Sequence, residues 1–240
     1  MDYINFGTKR IDYTIKRGNR KKTLAINVTL ASQVIVLAPN NFSREKIKTI
    51  VKKKALWILE KQEHFKRLAM LFPEKELVSG EQILLLGRKY RLKIKEENYL
   101  SIPKLSGRRL FIYVHSNLAP EDRKEIIKDT LIKWYFEKSS KIIKQRVNRY
   151  SKLLNLFPKK VIIKDQKKRW ASCSKDGTLR FNWRISMAPV SIIDYIVVHE
   201  LCHLKIKNHS SDFWKLLSIA MPDYQNRRNW LKNNTTIFRL

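Results

Sequence analysis

Apolar and polar residues alternate along residues 8–40, the two-residue period of strands that bury one face. Ile11-Asp12-Tyr13-Thr14-Ile15 leads to a turn at Arg17-Gly18-Asn19-Arg20. Leu24-Ala25-Ile26-Asn27-Val28 and Val34-Ile35-Val36-Leu37 follow, so the pattern predicts a β-meander ending at Pro39. From Ser43, a residue suited to cap a helix, the period becomes helical and continues to about Leu71, with Lys and Glu on a solvated face. A turn-rich connection, Phe72–Gly80, comes next. Gln82–Leu86 and Lys89–Ile94 then flank Gly87-Arg88 as a hairpin, and Leu110–Val114 adds a strand.

The second half changes period. Pro120 opens a long helix over about Glu121 to Leu154, with Ile126, Ile127, Leu131, Trp134 and Tyr135 at helical spacing. Short strands are predicted at Val161–Asp165 and Thr178–Asn182, the latter after a turn at Lys175-Asp176-Gly177. An apolar helix starts near Ser191, where Ser191 and Asp194 have the spacing of a capping box. Two shorter helices follow near Ser211–Ala220 and Tyr224–Lys232. The order predicts an α+β fold. A β-rich N-terminal region with one long helix occupies residues 1–118, and a region of helices with a short β-hairpin occupies 119–240.

Composition narrows the class. With 240 residues and 43% hydrophobic side chains, the chain can bury a real core. No apolar run reaches membrane-span length, and the first residues lack the basic and apolar regions of a signal peptide. Two cysteines, Cys173 and Cys202, make no disulfide framework, so a reducing cytoplasm is the expected location. The 51 Lys and Arg against 21 Asp and Glu leave a net charge of +30. Such a field attracts polyanions, though lysines spread over solvated faces would give the same sum.

Chemistry concentrates at His199-Glu200-Leu201-Cys202-His203. Residues four apart share a helix face, so both imidazoles can reach one ion, and Glu200 stands beside the first as a general base. His209 follows six residues after His203, a gap that lets the helix end and the chain turn back. Asn208 tolerates the left-handed conformation of such a stop. His199, His203 and His209 are therefore the expected ligands of one zinc ion, with a position left open for water. Three of the chain's five histidines fall here, and His64 and His115 have no comparable partners.

Around this core stand Trp170-Ala171-Ser172-Cys173-Ser174, Arg180-Phe181-Asn182-Trp183-Arg184, Ala188-Pro189, His209-Ser210, Phe213-Trp214, Pro222-Asp223-Tyr224 and Trp230-Leu231. Together they resemble the YgjP-like metallopeptidase family, densely from about Lys168 to Leu231. That family is similar to the SprT-like and Wss1-like zincins. The resemblance implies a zincin-like C-terminal region, a zinc site at His199, His203 and His209, and Glu200 as catalytic base. Ile206 stands where metzincins carry glycine, and Ala171 where the family often does.

Weaker candidates accompany these. Segment 178–184 is a possible edge for an extended substrate. Arg184 can bind an anionic group of the substrate or pair with an acid, and Tyr224 can donate to an oxyanion or simply pack. Asp212 or Asp194 can orient a ligand imidazole. Cys202, Trp170, Phe181, Trp183, Phe213, Trp214, Trp230 and the Trp134-Tyr135-Phe136 run read as core. The residues by themselves support metal-assisted hydrolysis, and the resemblance adds a protein or peptide substrate. Two other readings stay open. One is UTP pyrophosphohydrolysis, to which the family has been linked, although no Gly-rich phosphate loop is present. The other is a nucleic-acid-associated protease or basic binding module, as suits the charge and the DNA-directed relatives.

Overall fold

A computed structural model describes residues 2–18, 23–29, 31–71, 75–98, 102–166, 169–238 and 240. It contains helices and mixed sheets in an α+β arrangement, in two compact units, Met1–Glu74 and Lys75–Leu240. No helix among the described residues is long and apolar enough to cross a membrane.

The first unit contains β1 (Asp2–Phe6), β2 (Lys9–Gly18), β3 (Ala25–Val28), β4 (Val34–Pro39), α1 (Arg44–Lys53) and α2 (Ala55–Leu71). Its sheet order is β1-β2-β4-β3, and β2 runs parallel to β4, so it is not the predicted meander. β4 buries Val34, Val36 and Ala38, and this most apolar strand takes a central position between β2 and β3. Arg17 and Gly18 extend β2 instead of turning, while Asn19 and Arg20 lie outside the described residues, as do residues 72–74 of the turn-rich connection. Ser43 caps α1, its Oγ accepting the Lys46 N–H at 3.2 Å. The single long helix expected there breaks at Lys54 (φ −104°, ψ 10°), which lets α1 pack on β1 and α2 reach β3.

The second unit contains β5 (Gln82–Leu85), β6 (Arg88–Glu97), β7 (Lys104–Ser106), β8 (Arg109–His115), α3 (Pro120–Leu154), β9 (Lys160–Lys164), β10 (Ala171–Cys173) and β11 (Thr178–Asn182). A 3-10 turn at Trp183–Met187 precedes α4 (Val190–Lys205), α5 (Ser211–Ala220), α6 (Tyr224–Asn233) and a second 3-10 turn at Thr235–Phe238. One sheet has the order β5-β6-β8-β7 and the other β10-β11-β9. Leu92, Leu110 and Ile112 of the first sheet share a core with Leu131 and Tyr135 of α3 and with Val197 and Leu201 of α4. That shared core draws β5–β8 into the second unit, so the chain divides at Glu74/Lys75 where the sequence pattern suggested 118/119.

Long α3 is the strut of this unit. Tyr135 donates its hydroxyl to the Leu84 carbonyl at 2.5 Å, and the buried Ser139 donates to the Trp183 carbonyl at 2.6 Å. The β5–β6 hairpin turns on Leu86 (φ 52°) and Gly87 (φ 76°), one residue earlier than the pattern suggested. Two successive positive φ values are the signature of a type I′ turn. Leu86 and Gly87 donate their N–H groups to the Ser186 and Met187 carbonyls at 2.8 and 3.0 Å. A Cβ on Gly87 would lie 2.9 Å from Pro189 Cγ, so glycine is required where the hairpin meets the start of α4.

Candidate metal centre

α4 is buried almost all round, because Ile192, Ile193, Ile196, Val197, Val198 and Leu201 cover several faces of the helix. Its N-cap is Pro189, with no side-chain cap, so the expected Ser191–Asp194 box is not formed. Asp194 is drawn away by a stronger partner, accepting two hydrogen bonds from the Arg146 guanidinium of α3. The helix ends at Ile206, which is extended (φ −124°, ψ 109°). The chain turns back through a bend at Asn208, which is not in the left-handed region. α5 then begins at Ser211, two residues after His209, with Ser210 as its N-cap.

This path brings His199, His203 and His209 together, one ring nitrogen from each lying within 4.8 Å of the others. His209 Nε2 is 3.1 Å from His199 Nε2 and 3.2 Å from His203 Nε2. Nitrogens bound to one tetrahedral zinc at about 2.0–2.1 Å stand about 3.3 Å apart, so the observed spacing fits one shared ion. His203 Nδ1 lies 2.9 Å from the Ile206 carbonyl. An N–H at Nδ1 donating to that oxygen leaves the Nε2 lone pair directed at the cluster. Burial, then the neighbouring His203 and His209, lower the His199 pKa to about 3, and burial also lowers that of His203. Both shifts favour the neutral imidazole that a metal requires.

Aromatic packing orients the rings. Phe213 of α5 stacks on His203 with centroids 4.5 Å apart and meets His199 and His209 edge-on. Trp214 stacks on His209 at 5.6 Å and on Tyr224 at 5.4 Å, and Arg228 lies over the Trp214 ring at 4.9 Å. Phe213 and Trp214 thus brace the clustered imidazoles, a role added to their reading as core. Asp194 and Asp212 do not perform it. The first is held by Arg146, and the second is exposed and 3.8 Å from Lys215. His199 Nδ1 is buried without a hydrogen-bond partner among the described residues.

Glu200 is 6% exposed. Burial raises its pKa to about 7, against the opposing effects of Arg169 and of the nearby backbone N–H of Cys173. Its Oε2 has no partner among the described residues. The carboxylate therefore lies beside β10 with one oxygen free. The nearby Cys173 N–H, Arg169, and the cations Lys207 (3.9 Å from Cys173 Sγ) and Arg228 had no local signal in the sequence.

The weaker candidates divide. Arg184 pairs with Asp165 and covers the Trp183 ring at 4.2 Å, so it is already engaged. Tyr224 stands in the aromatic stack beside the histidines. Segment 178–184 is not an edge: β11 is the central strand, between β9 and β10. Cys202 is fully buried and Cys173 half-buried, both as free thiols. His115 Nδ1 accepts the Asn117 N–H at 3.3 Å, and neither His64 nor His115 joins the cluster.

A family model described as the YgjP-like metallopeptidase domain matches residues 22–234. Among solved structures, the metallopeptidase zymogen of Pyrococcus abyssi abylysin is similar over 39% of this chain and 95% of its own, at 23% identity and a TM-score of 0.36. The metallopeptidase zymogen of Methanocaldococcus jannaschii jannalysin is similar over 39% and 96%, at 30% identity and a TM-score of 0.36. No curated protein matches the chain.

Proposed function

The chain belongs to the YgjP-like metallopeptidase family and is a metal-dependent hydrolase; from that premise we propose a zinc peptidase in which His199, His203 and His209 hold one ion and Glu200 is the general base. The convergence of three Nε2 atoms beside a buried glutamate carries this reading. A divalent ion held there would supply Lewis acidity, polarising the scissile carbonyl and making a water acidic near neutral pH. Glu200 takes the proton of the attacking water and passes it to the leaving amine. A carboxyl group whose pKa burial has moved to about 7 is suited to both transfers. β10 forms a sheet edge, and an extended peptide adding to it would run beside Glu200, because the Cys173 N–H of β10 lies near that carboxylate.

The cations Arg169, Lys207 and Arg228 around the same centre favour a second reading, hydrolysis of a nucleoside triphosphate such as UTP. The test begins with elemental analysis of the untagged protein and of His203→Ala. Near-stoichiometric zinc in the first, lost in the second, supports the site. No metal after zinc is offered back would refute it. Glu200→Gln should keep the metal and cleave peptides about 10²- to 10⁴-fold more slowly. Cleavage of UTP but not of peptides by the same sample would transfer the assignment to the second reading.

A further inference from the structure

The sheet β5-β6-β8-β7 buries one face in the core through Ile83, Leu92, Leu110, Ile112 and Val114. Strand alternation turns Arg91, Lys93 and Lys95 of β6 to the other face, with Arg109, Phe111 and Tyr113 of β8. Register places Arg91 opposite Arg109, Lys93 opposite Phe111 and Lys95 opposite Tyr113, and Lys104 of β7 flanks Phe111 from the other side. Like charges facing each other across two strands destabilise a sheet unless something neutralises them. None of these cations is ion-paired among the described residues. Of the two glutamates that end β6, Glu96 pairs with Arg123 at 2.7 Å and Glu97 lies opposite His115 at the far end.

Two aromatic rings interrupt this cationic field. Phe111 and Tyr113 are half-buried and lie outside the hydrophobic core, with Lys95 Nζ 5.4 Å from the Phe111 ring centre. At one end the face dips into a hollow of about 690 Å³ whose lining includes Arg91, Arg109 and Phe111 together with Lys89 and Arg108. Cations alone would suit any polyanion. Partly open rings between rows of cations suit a strand whose bases are unstacked and free to lie on them.

We propose that the outer face of β5-β6-β8-β7 is a binding surface for single-stranded nucleic acid, with Arg91, Lys93, Lys95, Lys104 and Arg109 on phosphates and Phe111 and Tyr113 stacked on bases. This surface is formed by different elements from those that carry the histidines, so binding does not depend on the hydrolytic reading.

The test is fluorescence anisotropy of the full chain with a labelled single-stranded oligonucleotide over a range of salt concentrations. Binding should weaken with salt, and Arg91→Ala with Arg109→Ala should flatten the log–log slope by about 1.4, at about 0.7 per phosphate contact. Phe111→Leu should weaken binding about 5- to 100-fold with the slope unchanged. Tyr113→Leu replaces it if that variant fails to fold. Glu200→Gln should bind like the wild type. Lys52→Ala with Lys53→Ala removes the same charge from exposed positions on α1 and should change little. An equal loss in that control pair would overturn the proposal in favour of diffuse charge. Tighter binding of duplex, or equal competition by anionic vesicles with no effect of Phe111→Leu, would also overturn it.

Discussion

The ion pair between Arg146 and Asp194 joins α3 to the helix that bears two of the clustered histidines. The side chains are 16% and 8% exposed, and the contact is bidentate. Replacing Asp194 by alanine leaves a guanidinium without its carboxylate in a largely dry site. Breaking one partner of such a pair costs about 3–5 kcal/mol, most of it the penalty of the stranded charge. For a unit of this size, each kcal/mol lowers Tm by about 2–4 °C, so Asp194→Ala should melt roughly 6–20 °C below the wild type. Combining it with Arg146→Met removes the stranded charge as well, and the double variant should recover much of the loss. The assay is thermal unfolding by circular dichroism in chelator, so that metal binding does not enter. The reasoning fails if Asp194→Ala melts within about 2 °C of the wild type, or if the double variant loses the sum of the two single losses.

Three further outcomes follow from the geometry. Phe213→Ala removes the ring that stacks on His203, so zinc affinity measured by competition with a chromophoric chelator should fall about 10- to 100-fold, the range for losing a ligand-orienting partner. Gly87→Ala meets both a positive φ and Pro189, so urea unfolding should show a loss of about 1–3 kcal/mol; a stabilised variant would refute the close approach. Cys202 is fully buried and its thiol is pushed up from 9.0 to about 11 by burial. The reactive thiolate gains population only as pH rises toward about 11, so iodoacetamide at pH near 8 should leave Cys202 unmodified until the protein unfolds, as mass mapping would show.

Much of the chain could be read locally. The helices α3 and α5 and the strand β11 fall within a residue or so of where periodicity and turn residues put them, because those signals act over a few neighbours. Ser43 caps α1 as its position suggested, since a cap needs only the next turn of backbone. The His-Glu-x-x-His spacing likewise sets two imidazoles on one helix face by local geometry alone.

Other features depended on partners distant in sequence. A capping pattern at Ser191 gave way to Arg146, 48 residues from Asp194, because a buried carboxylate with a bidentate guanidinium is held more strongly than a helix-end N–H. Strand order placed β4 beside β2 in parallel and β11 in the middle of its sheet, facts that alternation within a single strand does not encode. The unit boundary at Glu74/Lys75 followed from a core shared by β6, β8 and α3. The sequence by itself determined which groups have the chemistry for a metal centre. The tertiary structure decided how α5 braces those imidazoles, which strand lies beside Glu200 and how deeply it is buried, because ring packing and desolvation arise only when separate segments meet.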